Sequence, residues 1–201
     1  MYKFFFKQAF DYLLSLLLII ILFPLMLSIY VFLLLKIGSP LFRQQRPGLN
    51  NKIFTIYKFK TILDKNCVPP SRKKKVFNFG SFLRKTGMDE LPQLINILKG
   101  ECSFVGPRPL LKRYLRINKF KNHVRAKCKP GITGLAQIEI NKYKKKNYSK
   151  WSKQFLLDEY YCTNISLLLD LKIILKTFLK IIKLSKNDYH KEIFLNSSDL
   201  K

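Results

Sequence analysis

Residues 11–36 read DYLLSLLLIIILFPLMLSIYVFLLLK, with no charged residue between Asp11 and Lys36. As a straight helix the uncharged part would be about 36 Å long, enough to cross a hydrocarbon core of about 30 Å. A secretory signal peptide is excluded, because the apolar run is too long and no small-residue cleavage site follows it. The run therefore predicts a membrane segment near the N-terminus.

Pro24 stands in the middle of this run. It has no N–H to donate to the carbonyl of Ile20, and its ring crowds that carbonyl, so we expect the helix to bend there. Lysines and arginines flank the run on both sides, so the positive-inside rule does not orient it. Two topologies stay open from the residues alone. Residues 1–36 form either a helix-break-helix hairpin that enters and leaves on the cytoplasmic face, or a kinked helix that spans the bilayer.

The chain as a whole is strongly basic. Its 201 residues include 38 Lys and Arg against 12 Asp and Glu, which gives a net charge of +26, and 48% of the residues are apolar. This composition supports one folded domain, residues 37–186, and requires an anionic partner such as phosphate, nucleic acid or an acidic bilayer. Four cysteines lie far apart without a C-x-x-C pair, and there are two histidines. These counts exclude a zinc site and a disulfide scaffold, fit a reducing compartment, and disfavour histidine-based catalysis.

The polarity pattern of the domain indicates an α-rich α+β fold with short strands. The patterns predict strands in residues 40–62, a polar loop in 63–78, helices in 80–98 and 110–127, and a polar tail in 187–201.

Residues 167–184 predict a basic amphipathic helix. Four lysines share one face of it: Lys172, Lys176, Lys180 and Lys183. We expect this helix either to lie on the bilayer surface as an interfacial helix, or to be a core helix whose lysines face water.

Two adjacent acids, Asp89 and Glu90, are predicted at the start of a helix. Pro92 is tolerated only near a helix N-terminus, which places that end within residues 88–91. Neighbouring side chains on a helix diverge by about 100°, so the two carboxylates would have separate tasks. One explanation is structural, since an acid at a helix start often caps the helix or offsets its dipole. The other explanation is catalytic.

Several cations lie near this pair in the sequence. They are Arg84, Lys58 and Lys60 of YKFKT, Arg46 of RPG, and Arg108, which stands between Pro107 and Pro109. Guanidinium groups bind phosphate oxygens bidentately, and the two prolines restrict the backbone that carries Arg108. A carboxylate among such cations would stay ionised. It could coordinate Mg²⁺ together with a substrate pyrophosphate, or attack phosphorus itself.

Several motifs follow one another along the chain. They are LFRQQRPGL (41–49), IYKFKT (56–61), MDELPQLINILKGECSFVGPRPLL (88–111), KPGITGLAQ (129–137) and LDEYYCTNISLLLDLKI (157–173). With the apolar N-terminus, this set resembles the bacterial sugar transferase family, and within it the small monotopic phosphoglycosyl transferases. The resemblance covers residues 1–185, and the joint occurrence of D-E-L-P-Q-L, F-V-G-P-R-P and P-G-I-T-G is specific.

The resemblance implies an activity. It is that of a membrane-bound enzyme that transfers a sugar 1-phosphate from a UDP-sugar to undecaprenyl phosphate and releases UMP. Asp89 would be the nucleophile that carries a phosphosugar ester. Glu90 would help to position Mg²⁺ or to manage a proton, and both acids would serve as metal ligands.

The resemblance also implies a phosphate-binding site. Arg84 and Arg108 match basic positions of the family that are suited to phosphate, and Lys60 and Pro109 match as well. Arg46 is expected to join the same site.

The resemblance further implies a location and partners. The family's N-terminal hairpin enters one leaflet and is broken at a proline, here Pro24. The catalytic domain is expected on the cytoplasmic face of the bacterial inner membrane. The expected partners are a UDP-sugar, undecaprenyl phosphate and membrane lipid, with no nucleic acid. The expected pathway is glycoprotein, capsule or O-antigen assembly.

A different class stays open from composition alone. It is a membrane-anchored basic protein that binds anionic lipid or nucleic acid through counterion release. Such purely electrostatic binding does not need two acids framed by rigid proline loops.

Overall fold

The computed structural model describes residues 2–63, 76–117, 121–139 and 150–184. The helices are α1 Lys7–Ile37, α2 Asn78–Thr86, α3 Gln93–Leu98, α4 Leu135–Glu139, α5 Lys150–Thr163 and α6 Leu167–Leu184. The strands are β1 Leu41–Pro47, β2 Ile53–Phe59, β3 Ser103–Val105 and β4 Gly131–Thr133. This arrangement confirms a helix-rich fold with short strands. Most of the predicted loop 63–78 and all of the predicted tail 187–201 lie outside the described residues.

α1 is one continuous helix. Its backbone is helical from Lys7 to Ile37, and it ends at Gly38, where φ is 69°. The expected break at Pro24 that divides the segment into two helices is therefore absent from this part of the chain. A proline removes one backbone hydrogen bond, and a long helix absorbs that loss without ending. Ser28, one turn further on, donates its hydroxyl to the carbonyl of Pro24 at 2.8 Å.

One face of α1 packs on the domain along the whole length of the helix. Its inward residues recur at every third or fourth position: Lys7, Asp11, Ser15, Leu18, Leu22, Met26, Ile29 and Leu33. The opposite face is apolar and exposed, and 11% of the most apolar part of the helix is buried. The core helix of a soluble protein would be buried, so this exposure is typical of a membrane protein.

A buried polar cluster ties the start of α1 to α6. Lys7 Nζ lies 2.6 Å from Asp170 Oδ2, and Tyr2 donates its hydroxyl to the same oxygen at 2.8 Å. Tyr161 of α5 donates its hydroxyl to Asp170 Oδ1 at 2.8 Å. Because the buried carboxylate has partners on both oxygens, the cluster fixes the first turn of α1 to the domain.

β1 and β2 form an antiparallel hairpin, which confirms the strands predicted in residues 40–62. Asn96 of α3 is fully buried and forms hydrogen bonds with this hairpin. Its Nδ2 donates to the carbonyl of Thr55 at 2.7 Å, and its Oδ1 accepts from the N–H of Tyr57 at 3.2 Å. The side-chain amide thus acts as a partner for the backbone of β2 and fixes α3 beside it. As a result, the turn before α3 lies next to Lys58.

The turn that carries the two acids lies between α2 and α3. α2 ends at Gly87, whose φ of 75° is the left-handed conformation that glycine adopts without steric cost. A 3-10 turn, Met88–Glu90, follows, and α3 begins at Gln93. Helical backbone therefore begins at Met88, within the predicted range 88–91, while the α-helix α3 itself begins at Gln93. Asp89 and Glu90 lie in this 3-10 turn just before α3.

Two sequence motifs, F-V-G-P-R-P and P-G-I-T-G, form one structural unit. β3 and β4 pair in parallel, with Ser103 opposite Gly131. A Cβ on Gly131 would lie 2.0 Å from the backbone N of Gly106, and a Cβ on Gly134 would lie 2.2 Å from the carbonyl oxygen of Gly106. Only glycine permits these backbones to approach so closely. The contact fixes the start of the loop that carries Arg108.

The prediction of a basic helix in residues 110–127 is wrong for the residues that the structure describes there. The chain forms two short 3-10 turns instead, Lys112–Arg116 and Val124–Lys127. Helices depend on the packing of an apolar face for stability, and the pattern of residue types alone does not show whether the domain offers such packing here.

Two of the four lysines of α6, Lys176 and Lys180, contact the protein. Lys176 Nζ lies 2.5 Å from Glu139 Oε1, and Lys180 Nζ donates to the carbonyl of Gln137 at 3.0 Å. The exposed face carries large apolar residues instead: Leu168, Leu171, Leu175, Phe178 and Leu179. The alternative of a core helix with lysines facing water is therefore wrong for Lys176 and Lys180, and the helix presents an apolar face that no described residue covers.

Candidate active site

Asp89 and Glu90 lie among cations from three parts of the fold. Lys58 of β2 donates its ammonium group to Glu90 Oε1. Arg108 Nη2 lies 3.9 Å from the same oxygen. The Glu90 side chain is 20% exposed and Lys58 is 22% exposed, whereas Arg108 is 54% exposed. Glu90 is thus held by partners on the protein side, while Arg108 keeps much of its surface for a ligand.

The two carboxyl groups have different proton affinities. Burial, reinforced by the charge of Glu90, raises the pKa of Asp89 to about 6, although Lys58, Arg84 and Arg108 oppose this rise. Burial also acts to raise the pKa of Glu90, but the charges of Lys58 and Arg108 and hydrogen bonds from Lys58 and Gln93 outweigh it and lower that pKa. Glu90 is therefore the permanently charged member of the pair. Asp89 is ionised at pH 7 and is the more basic carboxylate.

Arg84 is close enough to Asp89 for its charge to lower the pKa of that carboxyl. It lies in the last turn of α2, and its Nε donates to Thr61 Oγ1 at 2.7 Å. The Thr61 contact orients the guanidinium plane. Because the charge of Arg84 acts on Asp89, the structure brings together four of the sequence-predicted residues: Asp89, Glu90, Arg84 and Arg108.

Arg46 and Pro109 meet at the edge of this group. Arg46 Nη1 donates to the carbonyl of Pro109 at 3.2 Å, and its Nη2 donates to Gln44 Oε1 at 2.6 Å. Arg46 Nε is buried and has no hydrogen-bond partner among the described residues. Burial and the nearby charge of Arg108 lower the pKa of Arg46 to about 10. Two guanidinium groups held close together create a positive potential suited to an anion.

Lys60, a predicted phosphate-binding residue, contacts the segment that follows α1. Its ammonium group donates to Ser39 Oγ at 2.6 Å, just beyond the end of α1. Lys58, two residues earlier on the same strand, is the lysine that contacts Glu90. Both lysines occur in YKFKT, and the sequence alone did not show which of them would meet the acids.

Two residues near the site were missed by sequence reasoning. Arg125 donates to the backbone carbonyl of Arg108. Asp158 of α5 pairs with Arg125, with Nη1 and Oδ2 3.4 Å apart. The scarcity of acids in the chain was the available signal, because an acid retained among so many cations is expected to have a partner.

Asp89 and Glu90 offer two carboxylates to a metal ion. The described residues contain no group of three or more His, Cys, Asp or Glu side chains that could hold a metal ion by themselves. Mg²⁺ commonly uses one or two carboxylates and completes its shell with substrate phosphates and water. The adjacent carboxylates of Asp89 and Glu90 fit that pattern, provided that a phosphate-bearing substrate is present.

The arrangement combines a partly buried basic carboxylate, a second carboxylate neutralised by lysine, and flanking guanidinium groups. Such a site can hold a phosphate group by its oxygens and present a nucleophilic oxygen to the phosphorus. These properties are those of a phosphate-transferring enzyme.

Comparison with known proteins agrees with this class. The bacterial sugar transferase family matches residues 2–184 of the chain. An uncharacterized sugar transferase, EpsL, of Bacillus subtilis (strain 168) is 47% identical over 154 residues, 74% of this chain and 73% of the relative. The exopolysaccharide production protein PSS of Rhizobium leguminosarum bv. phaseoli is 34% identical over 194 residues, 85% of this chain and 92% of the relative.

A longer relative has a named reaction. The UDP-glucose:undecaprenyl-phosphate glucose-1-phosphate transferase of Klebsiella pneumoniae is 35% identical over 192 residues, 87% of this chain. The match spans 40% of the length of that protein. The chain belongs to the bacterial sugar transferase family and is an enzyme, a phosphoglycosyl transferase. Membership of this enzyme family decides against the alternative of a basic protein that only binds anionic lipid or nucleic acid.

Proposed function

We propose that this enzyme transfers a sugar 1-phosphate from a UDP-sugar to undecaprenyl phosphate and releases UMP. The observation that carries the proposal is the partly buried Asp89, whose pKa is raised to about 6 beside the Lys58-bound Glu90. The relative from Klebsiella pneumoniae supports the substrate classes, because its name states a UDP-sugar donor and an undecaprenyl-phosphate acceptor. Relatives named for exopolysaccharide production support a role at the start of glycan assembly.

The proposed reaction has two displacements at one phosphorus atom. A carboxylate oxygen of Asp89 attacks the sugar-bearing phosphate of the donor, the bond to the UMP oxygen breaks, and UMP leaves. The sugar phosphate is then an acyl phosphate ester of Asp89. An oxygen of undecaprenyl phosphate attacks the same phosphorus, the bond to the aspartyl oxygen breaks, and the carboxylate is regenerated. The product is a sugar linked to the lipid through a diphosphate.

The other charged groups have distinct tasks in this scheme. Arg84 and Arg108 bind phosphate oxygens, where they offset charge that develops on the equatorial oxygens of the transferring group. Arg46 adds positive potential at the end of the same site, and Pro109 restricts the loop. Lys58 keeps Glu90 charged, so that Asp89 is the member of the pair whose protonation changes near pH 6.

Mg²⁺ is the proposed cofactor. Asp89 and Glu90 would hold it together with donor phosphates. When bound, the ion would neutralise charge on the diphosphate and so make UMP a better leaving group.

The membrane arrangement proposed is a helix whose two ends stay on the same side of the bilayer, with the catalytic domain on the cytoplasmic face of the inner membrane. α1 is about 46 Å long, yet it contacts the domain from Lys7 to Leu33. A helix that crossed the bilayer would carry half its length away from a domain on one side. The exposed apolar faces of α1 and α6 are available to lipid of one leaflet.

The reaction is tested with the full-length protein in lipid nanodiscs, using UDP-glucose, UDP-galactose and UDP-N,N'-diacetylbacillosamine as donors. With undecaprenyl phosphate present, we expect continuous UMP release with one of them. Without it, we expect release of about one equivalent and a mass gain of one sugar phosphate on the peptide that contains Asp89. EDTA should stop UMP release and added Mg²⁺ should restore it. Kinetics in which both substrates must bind before any UMP leaves would contradict the covalent route.

The topology is tested by cysteine labelling in spheroplasts with a membrane-impermeant reagent. Phe5→Cys and Lys36→Cys place exposed thiols at the two ends of the segment, in a Cys67→Ser background. Cys102, Cys128 and Cys162 are buried and should not react. We expect both new thiols to be labelled only after permeabilisation, as Lys52→Cys in the exposed part of the domain should be. Labelling of one end before permeabilisation would show that the helix spans the bilayer.

A further inference from the structure

Two arginines hold the loop that carries Arg108 from different elements. Arg46 of β1 donates to the carbonyl of Pro109, and Arg125 donates through Nη2 to the carbonyl of Arg108 itself. The prolines on either side of Arg108 have no N–H, so the loop offers few backbone donors by which it could be fixed. Its consecutive carbonyls are therefore the groups through which neighbouring side chains hold it. The Arg108 side chain extends from this backbone towards Glu90.

Arg125 is itself held by α5. Its Nη1 lies 3.4 Å from Asp158 Oδ2, and the two side chains are 7% and 2% exposed. Its Cζ lies 5.2 Å from the ring centre of Phe155, which is one turn earlier on α5. Among the described residues Nη1 and Oδ2 lie within ion-pair distance but make no hydrogen bond, so the charge of Asp158 and the Phe155 ring together hold the guanidinium group, with Nη2 left to reach the Arg108 carbonyl.

The Arg125–Asp158 pair is not explained by stability. Desolvation of two buried charges often costs more than their attraction returns, and apolar residues of the same volume are commonly as stable. Both charged forms are disfavoured here, since burial lowers the pKa of Arg125 and raises that of Asp158 to about 6. An apolar replacement would, however, remove the donor to Arg108. The pair supplies a directed hydrogen bond at the base of a phosphate-binding residue.

We propose that Arg125, oriented by Asp158, is a positioning residue that sets the backbone of Arg108 and thereby the strength with which the donor phosphates are bound. α5 then contributes to substrate recognition without touching the substrate. This inference rests on the proposed function, in which Arg108 binds phosphate oxygens of the donor.

The test is a double-mutant cycle on the full-length protein in detergent, with UDP and inorganic pyrophosphate as the two binding probes. Arg125→Lys keeps a charge beside Asp158 but loses the planar fork that contacts Asp158 and the Arg108 carbonyl together. We expect it to weaken both probes about 10-fold, the scale of a hydrogen bond that involves a charged group. Arg108→Ala should also weaken both probes. Adding Arg125→Lys to Arg108→Ala should cause no further loss, because the side chain that Arg125 positions is gone.

The matched control is Arg116→Lys, which changes an exposed arginine in a neighbouring 3-10 turn and should bind both probes like the wild type. Equal losses from Arg125→Lys with and without the Arg108 side chain would overturn the inference, because Arg125 would then act on the fold alone. Unchanged binding by Arg125→Lys would overturn it as well. If Arg125→Lys does not fold, Asp158→Asn replaces it in the same cycle, with an expected loss of about 3-fold.

The two probes separate this inference from the proposed function. Pyrophosphate binding without UDP binding or UMP release would contradict the proposed donor class, and the cycle on pyrophosphate would still decide the positioning role. Absence of binding for both probes in the wild type would overturn both proposals. A cycle with the expected coupling together with UMP release would support both.

Discussion

Asp89→Asn is expected to lower the rate of UMP release by about 1,000-fold or more, equivalent to about 4 kcal/mol or more of transition-state stabilisation. The amide has nearly the size of the carboxylate, but it lacks the anionic oxygen that must attack phosphorus. The measurement is the initial rate of UMP release with the donor that the wild type uses, followed by the mass of the protein without acceptor. No sugar phosphate should be retained by the variant.

Glu159→Gln is the matched control for this substitution, since it removes the charge of an exposed acid on α5. It should release UMP at the wild-type rate. The wild-type pH profile gives an independent check. Because the pKa of Asp89 is raised to about 6 and the deprotonated form is the nucleophile, kcat/KM should rise with pH and level off above that value. UMP release by Asp89→Asn at the wild-type rate would contradict the assignment of Asp89 as the nucleophile.

The main features of the candidate site could be predicted because the residues that define it occur in short local motifs. Asp89 and Glu90 are adjacent, and the Pro-Arg-Pro frame marks Arg108, so residue type and spacing were sufficient for these three. The choice between Lys58 and Lys60 was different. It depends on how the buried amide of Asn96 fixes α3 against β2, a tertiary contact that no periodicity encodes. Arg125 and Asp158 were missed for the same reason, because their pairing joins segments far apart in the chain.

The fold shows where pattern analysis succeeds and where packing overrides it. The hairpin β1–β2 follows from alternation of polarity, which is a local signal. α1 did not break at Pro24, because a local rule about one lost hydrogen bond does not predict how a helix packed along its length will respond. For α6 the spacing of the lysines was visible, but not which face the domain would cover. There Glu139 and the carbonyl of Gln137 bind Lys176 and Lys180 and leave the apolar face exposed.

Glu90→Gln is expected to lower kcat/KM by about 100-fold, because it removes a proposed Mg²⁺ ligand and weakens Asp89 as a nucleophile, and to move the acid limb of the pH profile to lower pH. After burial, the charge of Glu90 is the largest cause of the raised pKa of Asp89. Its removal leaves the charges of Lys58, Arg84 and Arg108, all of which lower that pKa. Asp89 should therefore ionise below pH 6 and become a less basic, weaker nucleophile.

The sign of this shift separates two roles for Glu90. If Glu90 mainly held Lys58 in place, Glu90→Gln would release a cation that lowers the pKa of Asp89, and the acid limb would move to higher pH. If Glu90 sets the basicity of Asp89, the acid limb must move to lower pH while the rate on the plateau falls. The profile is measured on single-turnover UMP release, so that the later attack by the lipid phosphate does not enter, with Glu159→Gln as the control at an exposed acid. A limb that moves upward would mean that a positive charge near Asp89 has been lost, which is the behaviour expected if Lys58 leaves the site with its partner. The direction in which the pKa of Asp89 shifts thus reports whether Lys58 is held in place by strand β2 or by Glu90.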